Sequence, residues 1–206
     1  MTDYFALLDE PHRPWLDADA LKAKFLALSA AVHPDRVHGA SEKKKAAAHQ
    51  RYAELNAAYN CLREPKTRLR HLLELEQGAK PKQVQQIPPT TMDLFLEVAE
   101  VCRGTDSFLA DRAKITSPLL KVQMFDRGQE WTDKLMALQQ KLNAQQEEAA
   151  ALLKVMNAAW EMAPAIGAAG RAASLPLERL EQVYQILSYL ARWTSQIQER
   201  IVQLSF

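Results

Sequence analysis

The length of this chain, 206 residues, allows one large domain or two small ones with independent hydrophobic cores. Apolar residues make up 48% of the sequence and charged residues 25%, as in an ordinary soluble protein. Because 26 basic side chains stand against 25 acidic ones, no bulk electrostatic attraction to nucleic acid or to a membrane is expected.

Targeting segments and redox or metal motifs do not stand out in the sequence. The first 25 residues contain no apolar run of signal-peptide length, which predicts a cytoplasmic protein. Cys61 and Cys102 are too far apart to form a metal-binding pair or to indicate a disulfide framework. The sequence predicts no cofactor and no metal, since no regular ligand spacing relates the histidines His12, His38, His49 and His71.

The sequence predicts a short apolar helical segment at its start, Asp3–Leu8, which two prolines end. A second helix follows, capped by Asp17 or Asp19, and runs to about Val32. Its apolar residues recur at spacings of four and three, as on one face of an amphipathic helix: Leu21, Phe25, Leu28 and Val32.

Pro34 predicts a turn after this second helix, because proline disfavours helical geometry in the preceding residue and has no N–H to donate. Residues 33–40 are expected to form a loop. A third helix, capped by Ser41, is predicted from about Glu42 to Arg63. Its apolar face is made by Ala48, Tyr52, Leu55, Tyr59 and Leu62. The two helices are therefore predicted to form an antiparallel pair with the loop at its tip.

A fourth helix is predicted from Pro65 to just before Gly78, and the proline-containing segment 78–90 is predicted to be a linker. Beyond the linker we expect a short helix from Met92 to Arg103, closed by Gly104. A long helical segment from Ser117 to about Met162 follows, which Gly128 could interrupt. Its apolar seam is Trp131, Leu135, Leu138, Leu142, Gln145, Ala149, Leu152, Met156 and Ala159.

The residues between Pro164 and Pro176 are mostly small and predict a connection between two helices. The last helix has a second heptad seam: Val183, Leu187, Leu190, Thr194, Ile197, Ile201 and Leu204. Two seams joined by one connection predict an antiparallel hairpin, onto which the shorter helix packs as a three-helix bundle. The predicted class is all-α, with an N-terminal domain at 1–77, a linker at 78–90 and a bundle at 91–206.

Three segments together resemble a J-domain: Asp3–Leu8, the tripeptide His33-Pro34-Asp35, and Leu55–Pro65. Pro65 followed by Arg68 and by His71-Leu72-Leu73-Glu74-Leu75 is similar to the HscB-type co-chaperones of iron-sulfur cluster assembly. The resemblance covers residues 1–77 with specific motifs. It implies two partners, a DnaK-class ATPase chaperone and a scaffold protein that carries a nascent cluster.

The resemblance also implies which residues bind the chaperone. These are His33, Pro34 and Asp35, supported by the basic residues Lys22, Lys24 and Arg36. Ser29, Ala30 and Ala31 occupy a turn in which family members commonly have lysine or arginine. We therefore expect a weaker or more salt-sensitive encounter with the chaperone.

The lysine run Lys43-Lys44-Lys45 lies in the first turn of the third helix, where the helix dipole disfavours cations. It is either a solvated surface, as exposed charge runs usually are, or a basic patch for a partner.

For the scaffold, the resemblance implies a site on the first helix after the linker: Phe95, Leu96, Glu97 and Glu100. Ala99 and Arg103 depart from the family pattern, in which a larger apolar residue and an acidic residue are expected. The alternative is that Phe95 and Leu96 pack on the helical hairpin.

No nucleophile elbow, phosphate-binding loop or pair of catalytic carboxylates is evident, so the sequence does not predict an enzyme. The predicted function is that of a co-chaperone which stimulates a DnaK-class ATPase and delivers an iron-sulfur scaffold. Two alternatives remain: a J-domain co-chaperone with a different client, and a helical interaction protein whose J-like domain engages no chaperone.

Overall fold

The computed structural model of the protein describes residues 2–33, 39, 41–81 and 87–205. Regular structure in these residues is helical, without strands, which confirms the predicted all-α class. The helices are α1 (Tyr4–Leu7), α2 (Ala18–Ala31), α3 (Glu42–Arg63), α4 (Pro65–Gln77), a 3₁₀ turn (Pro89–Thr91), α5 (Met92–Ala113), α6 (Pro118–Glu161), α7 (Arg171–Ser174) and α8 (Leu177–Leu204). No described helix combines the length and the hydropathy needed to cross a lipid bilayer.

Helices α2 and α3 form the predicted antiparallel pair. The rings of Phe25 and Tyr59 stack with their centroids 4.3 Å apart, and His33 meets the ring of Tyr52 edge-on at 5.5 Å. Of the two candidate caps of α2, Asp17 makes the bond: its carboxylate accepts from the backbone N–H of Ala20 at 2.8 Å. Ser41 occupies the N-cap position of α3 without a side-chain hydrogen bond to the helix.

Helix α4 is joined to the beginning of the chain by two buried polar side chains. Arg68 donates to the carbonyl oxygens of Pro14 and Leu62, at 2.9 and 2.7 Å. Burial lowers the pKa of Arg68 to about 10. His71 accepts a hydrogen bond from the backbone N–H of Tyr4 at 3.1 Å through Nε2, and burial lowers its pKa. Both residues belong to the motif that resembles the HscB-type proteins, and both act here as structural groups.

The chain forms two compact units. The first comprises Met1–Lys82 and Ala150–Tyr184, and the second comprises Gln83–Ala149 and Gln185–Phe206. Residues 150–184, which include the end of α6 and the beginning of α8, thus group with the N-terminal helices. The predicted domain boundaries at 77 and 91 stay a prediction.

Within the first unit, residues 150–184 are bound to the N-terminal helices by polar contacts as well as by packing. The amide of Asn157 makes two reciprocal hydrogen bonds with the backbone of Trp15, at 2.9 and 3.0 Å. The guanidinium of Arg171 binds the carboxylate of Glu76 through both oxygens, at 2.8 and 2.7 Å. The indole N–H of Trp160 donates to the same carboxylate at 3.2 Å.

Within the second unit, α5, α6 and α8 form a three-helix bundle. Its buried side chains include Val98, Cys102, Phe108, Leu135, Leu138, Leu142, Leu190 and Ile197. Polar contacts at the margin of this core also join the helices. Arg200 of α8 binds Asp106 of α5 at 2.7 Å, and Arg112 of α5 donates to the carbonyl oxygens of Gln203 and Leu204 at the end of α8.

The prediction that Gly104 closes a helix was wrong, and the interruption at Gly128, which the sequence left open, does not occur. Gly104 does not end a short helix at Arg103, because α5 continues to Ala113. Gly128 does not interrupt α6, which is one helix from Pro118 to Glu161. Each glycine faces an aromatic side chain of the neighbouring helix: Gly104 lies under the ring of Trp131, and Gly128 lies beside Phe108. Close packing explains Gly104, where a Cβ atom would overlap the ring of Trp131, whereas Gly128 lies at an ordinary contact distance from Phe108.

The predicted seam of α6 holds at Leu135, Leu138, Leu142, Ala149 and Met156, and shifts by one residue at two positions beyond Ala149. There the buried apolar residues, apart from Met156, are Leu153 and Trp160. The predicted Leu152 and Ala159 are half-buried. The shift starts where α6 leaves one compact unit for the other, and it has the direction in which a straight helix drifts from a seven-residue repeat.

Candidate partner-binding surfaces

The predicted chaperone-binding residues begin at the end of α2. His33 follows the C-cap residue Val32 directly, and it is half-buried against Tyr52 of α3. The next three predicted residues, Pro34, Asp35 and Arg36, lie outside the described residues. The structure therefore locates the beginning of the tripeptide at the end of the α2–α3 pair.

The two predicted basic residues of α2 differ in their surroundings. Lys22 is exposed, whereas the ammonium group of Lys24 contacts the carboxylate of Glu10 at 2.8 Å and the carbonyl oxygen of Asp9 at 2.9 Å. Lys24 thus connects α2 to the turn after α1. Any use of Lys24 by a partner has to compete with these intramolecular contacts.

The predicted scaffold-binding residues lie on α5, and three of them are close together at its surface. Leu96 has 57% of its side chain exposed, and Glu100 is exposed one turn later. Glu97 forms an ion pair with Lys141 of α6. This part of α5 therefore presents an apolar side chain next to carboxylates.

Phe95 points away from this surface. Its ring is half-buried and lies 6.1 Å from the ring of Trp193 of α8, measured between centroids. The packing alternative therefore describes Phe95 well, while the exposed Leu96 fits the interaction alternative. The sequence did not distinguish the two neighbours, because adjacent residues of a helix differ in direction by about 100° and either can face the bundle.

Met92 is a surface residue of α5 that the sequence analysis did not single out. It is 40% exposed and lies one helical turn before Leu96. The spacing of four residues between Met92 and Leu96 was a signal that could have identified it. Met92, Leu96 and Glu100 together form one exposed strip, which we call the α5 strip.

Within residues 2–33, 41–81 and 87–205, no cluster of three or more His, Cys, Asp and Glu side chains has a geometry that could hold a metal ion. Burial raises the pKa of both thiols, Cys61 and Cys102, so each is less readily ionised than a free cysteine.

Comparisons with known proteins extend this picture. No protein-family model matches the sequence. The chain is 31% identical over 143 residues to the co-chaperone protein HscB homolog of Vibrio parahaemolyticus, a match that covers 66% of this chain and 83% of that protein. It is 42% and 43% identical over 72 residues to the HscB homologs of Bordetella avium and Bordetella petrii. These two matches cover 43% and 42% of the Bordetella proteins.

Solved structures show the same fold. The chaperone HscB from Vibrio cholerae superposes with a TM-score of 0.62 and 23% identity, covering 98% of this chain and 99% of that one. Human co-chaperone protein HscB superposes with a TM-score of 0.59 and 20% identity over 98% of this chain and 81% of the human one. These likenesses establish an N-terminal J-domain followed by a C-terminal helical bundle. Since the Vibrio parahaemolyticus protein is matched over most of its length, the chain belongs to the HscB co-chaperone family.

Proposed function

We propose that this protein is a cytoplasmic co-chaperone which stimulates ATP hydrolysis by a DnaK-class chaperone and brings to it an iron-sulfur scaffold protein. Membership of the HscB family supports the general role. The observation that carries the proposal is the position of His33, which follows α2 at the end of the antiparallel pair and begins the complete tripeptide His33-Pro34-Asp35.

The chemistry of the tripeptide fits a binding role. Asp35 offers two acceptor oxygens that suit a bidentate arginine, and His33 offers one donor and one acceptor. In this proposal the protein performs no catalysis itself. Its contact biases the chaperone toward hydrolysis, and the ATPase chemistry belongs to the partner.

The α5 strip supports the second half of the proposal. An exposed leucine and methionine flanked by carboxylates are suited to a partner with an apolar patch and basic residues around it. Holding the scaffold on the same chain that contacts the chaperone raises the effective concentration of the scaffold at the chaperone.

The test is the steady-state ATPase rate of a DnaK-class chaperone, measured with the protein alone, with apo-scaffold alone and with both. We expect stimulation by the protein, a larger rate with both, and a loss of about 90% or more of the stimulation in the Asp35→Asn variant, since the amide lacks the negative charge and the second acceptor oxygen of the carboxylate. Asp126→Asn, an exposed aspartate of α6, is the control.

A parent protein that does not change the ATPase rate would reject the co-chaperone role and favour the interaction protein without a chaperone. Stimulation without any effect of the apo-scaffold would favour a J-domain co-chaperone with a different client.

A further inference from the structure

The exposed surface at the end of α2 carries no charge. Its side chains are Leu26, which is 54% exposed, and the exposed alanines Ala27, Ala30 and Ala31. Lys24 is exposed but paired with Glu10, and Lys22, the other exposed cation of α2, lies about two and a half turns before the end of the helix. Helix α2 therefore offers little positive charge near His33.

The beginning of α3, in contrast, is rich in positive charge. The segment Glu42–Arg51 has four cationic side chains and one carboxylate, that of Glu42. Lys43 and Lys44 are exposed, and neither has an ion-pair partner among the described residues. Lys45 contacts Glu42 at 2.9 Å, and Arg51 approaches Glu54 at 3.6 Å. We call the side chains of Lys43, Lys44, Lys45 and Arg51 the α3 basic shoulder.

The pairing of the two helices fixes the position of this shoulder relative to α2. The ring of Phe25 contacts that of Tyr59, and the ring of His33 contacts that of Tyr52. His33, the residue before Pro34, is therefore level with Tyr52 along the axis of α3. Residues 42–51 precede Tyr52 along α3 and extend past the end of α2. At a rise of about 1.5 Å per residue, Lys43 lies about 13 Å beyond Tyr52 along the helix axis.

The lysines occupy a position that is unfavourable for the isolated protein. The first turn of a helix carries the positive end of the helix dipole, and cations there are destabilising. The dipole and the exposed ammonium groups of Lys43 and Lys44 produce positive potential in the same region. A partner surface rich in carboxylates is the complement of this arrangement.

We infer that the α3 basic shoulder supplies the ionic contact with an acidic surface of the DnaK-class chaperone, in place of the last turns of α2. This inference rests on the proposed function and adds to it the source of the electrostatic attraction. The apolar end of α2 then contributes contact area without charge.

The experiment is a titration of the chaperone's ATPase with the parent protein, Lys43→Glu, Lys44→Glu and the double variant, at about 50 mM and about 300 mM salt. We expect the double variant to need about fivefold to tenfold more protein for half-maximal stimulation at low salt, and to lose most of the salt dependence. The maximal rate is expected to change little, because the tripeptide is intact.

Charge reversal at these positions suits the test, because glutamate in the first turn of a helix is stabilising and loss of folding is not expected. Lys66→Glu, at a half-buried lysine, is the control for charge reversal at the start of a helix. Lys66 also lies in the first turn of a helix, α4. This helix begins just after the C-terminal end of α3, and that end lies about 30 Å from Lys43 along the axis of α3. Lys22→Glu is the comparison that represents α2.

The inference is supported if the Lys43 and Lys44 variants weaken the titration more than Lys22→Glu, with Lys66→Glu close to the parent. It is overturned if the double variant titrates like the parent, or if Lys22→Glu has the larger effect, while Asp35→Asn still abolishes stimulation. A parent protein that gives no stimulation at either salt concentration overturns the proposed function and this inference with it.

Discussion

At the scale of single residues, the clearest feature is a buried carboxylate that is bound by side chains from distant parts of the chain. Glu76 of α4 binds Arg171 through both oxygens and accepts from Trp160, and the ring nitrogen Nδ1 of His12 lies 3.7 Å away. The Nε2 atom of His12 is 2.8 Å from Asp3. These groups are largely buried, so removal of one partner leaves another charge uncompensated.

The pKa values of this cluster define the pH range in which it stabilises the fold. Burial alone would raise the pKa of Glu76, but the contacts with His12, Arg171 and Trp160 lower it to about 2. Burial would lower the pKa of His12, but the carboxylates of Glu76 and Asp3 raise it above its ordinary value. The contribution of Glu76 is complete above its unfolded pKa of 4.5, and that of His12 is complete below its unfolded pKa of 6.5. The cluster is therefore most stabilising between these values.

We predict that Glu76→Gln lowers the free energy of unfolding by about 2–4 kcal/mol near pH 5.5, because the guanidinium of Arg171 loses its buried counter-ion. The difference between parent and variant should shrink as the pH falls toward 2, where Glu76 becomes protonated. Urea unfolding from about pH 3 to about pH 8 measures it. Glu147→Gln, at an exposed position of α6, is the control, and a pH-independent difference would contradict the assignment.

The amide of Asn157 is a second residue whose role depends on a distant partner. It satisfies both the N–H and the carbonyl oxygen of Trp15, in a segment without helical hydrogen bonds of its own. We predict that Asn157→Leu destabilises the protein by about 1–3 kcal/mol, because the leucine has a similar volume but leaves two backbone groups unsatisfied. Thermal unfolding would measure the loss. Asn143→Leu on the exposed face of α6 should cost less than about 0.5 kcal/mol.

At the scale of helices, the structure places two glycines inside helices and not at their ends. Gly104 and Gly128 both lie inside long helices, where glycine costs about 1 kcal/mol relative to alanine. A Cβ atom on Gly104 would overlap the ring of Trp131, whereas a Cβ atom on Gly128 would meet Phe108 at an ordinary 3.7 Å. Two substitutions of the same kind should therefore have opposite effects.

We predict that Gly104→Ala lowers the free energy of unfolding by about 1–3 kcal/mol, since the ring of Trp131 has to move out of its packed position. Gly128→Ala is expected to raise it by up to about 1 kcal/mol through the helix propensity of alanine. Denaturant unfolding of the two variants beside the parent gives both numbers. Equal effects of the two substitutions would show that packing against Trp131 is not what retains Gly104.

At the scale of the whole molecule, the proposal assigns different partners to two surfaces of one chain, the end of the α2–α3 pair and the α5 strip. A substitution on the α5 strip should therefore weaken binding of the scaffold, and through it reduce the scaffold-dependent increase of the chaperone's ATPase rate. The α5 strip includes two exposed apolar side chains, those of Met92 and Leu96, and truncation of such a contact typically weakens a complex by about 1–2 kcal/mol.

We predict that the double variant Met92→Ala, Leu96→Ala binds the apo-scaffold about tenfold less tightly, as calorimetry would measure, and that the scaffold-dependent increase of the chaperone's ATPase rate falls with it. Leu119→Ala, at a leucine of α6 that is 72% exposed, is the matched control. Equal losses in Leu119→Ala and in the double variant would indicate nonspecific apolar binding instead of a site on α5.

Much of the architecture follows from the sequence because its causes are local. Helical periodicity, the cap at Asp17 and the effect of Pro34 on the preceding residue act over a few residues, so the antiparallel pair and the later long helices could be predicted. The family resemblance could also be recognised from the sequence, because each motif that carries it is a short run of neighbouring residues. The assignment of roles to Leu96 and Phe95 needed the tertiary structure, because only the position of α8 decides which neighbour is covered.

The sequence by itself determined the helical class, the ends of most helices other than α5 and the family resemblance, since each depends on patterns repeated along neighbouring residues. The tertiary structure alone decided that Glu76 meets Arg171, that Asn157 meets Trp15, and that Gly104 makes room for Trp131. These partners are separated by 95, 142 and 27 positions in the chain, the last obtained as 131 minus 104. A polar or small residue has no local preference for one distant partner, and the packing of the helices makes that choice.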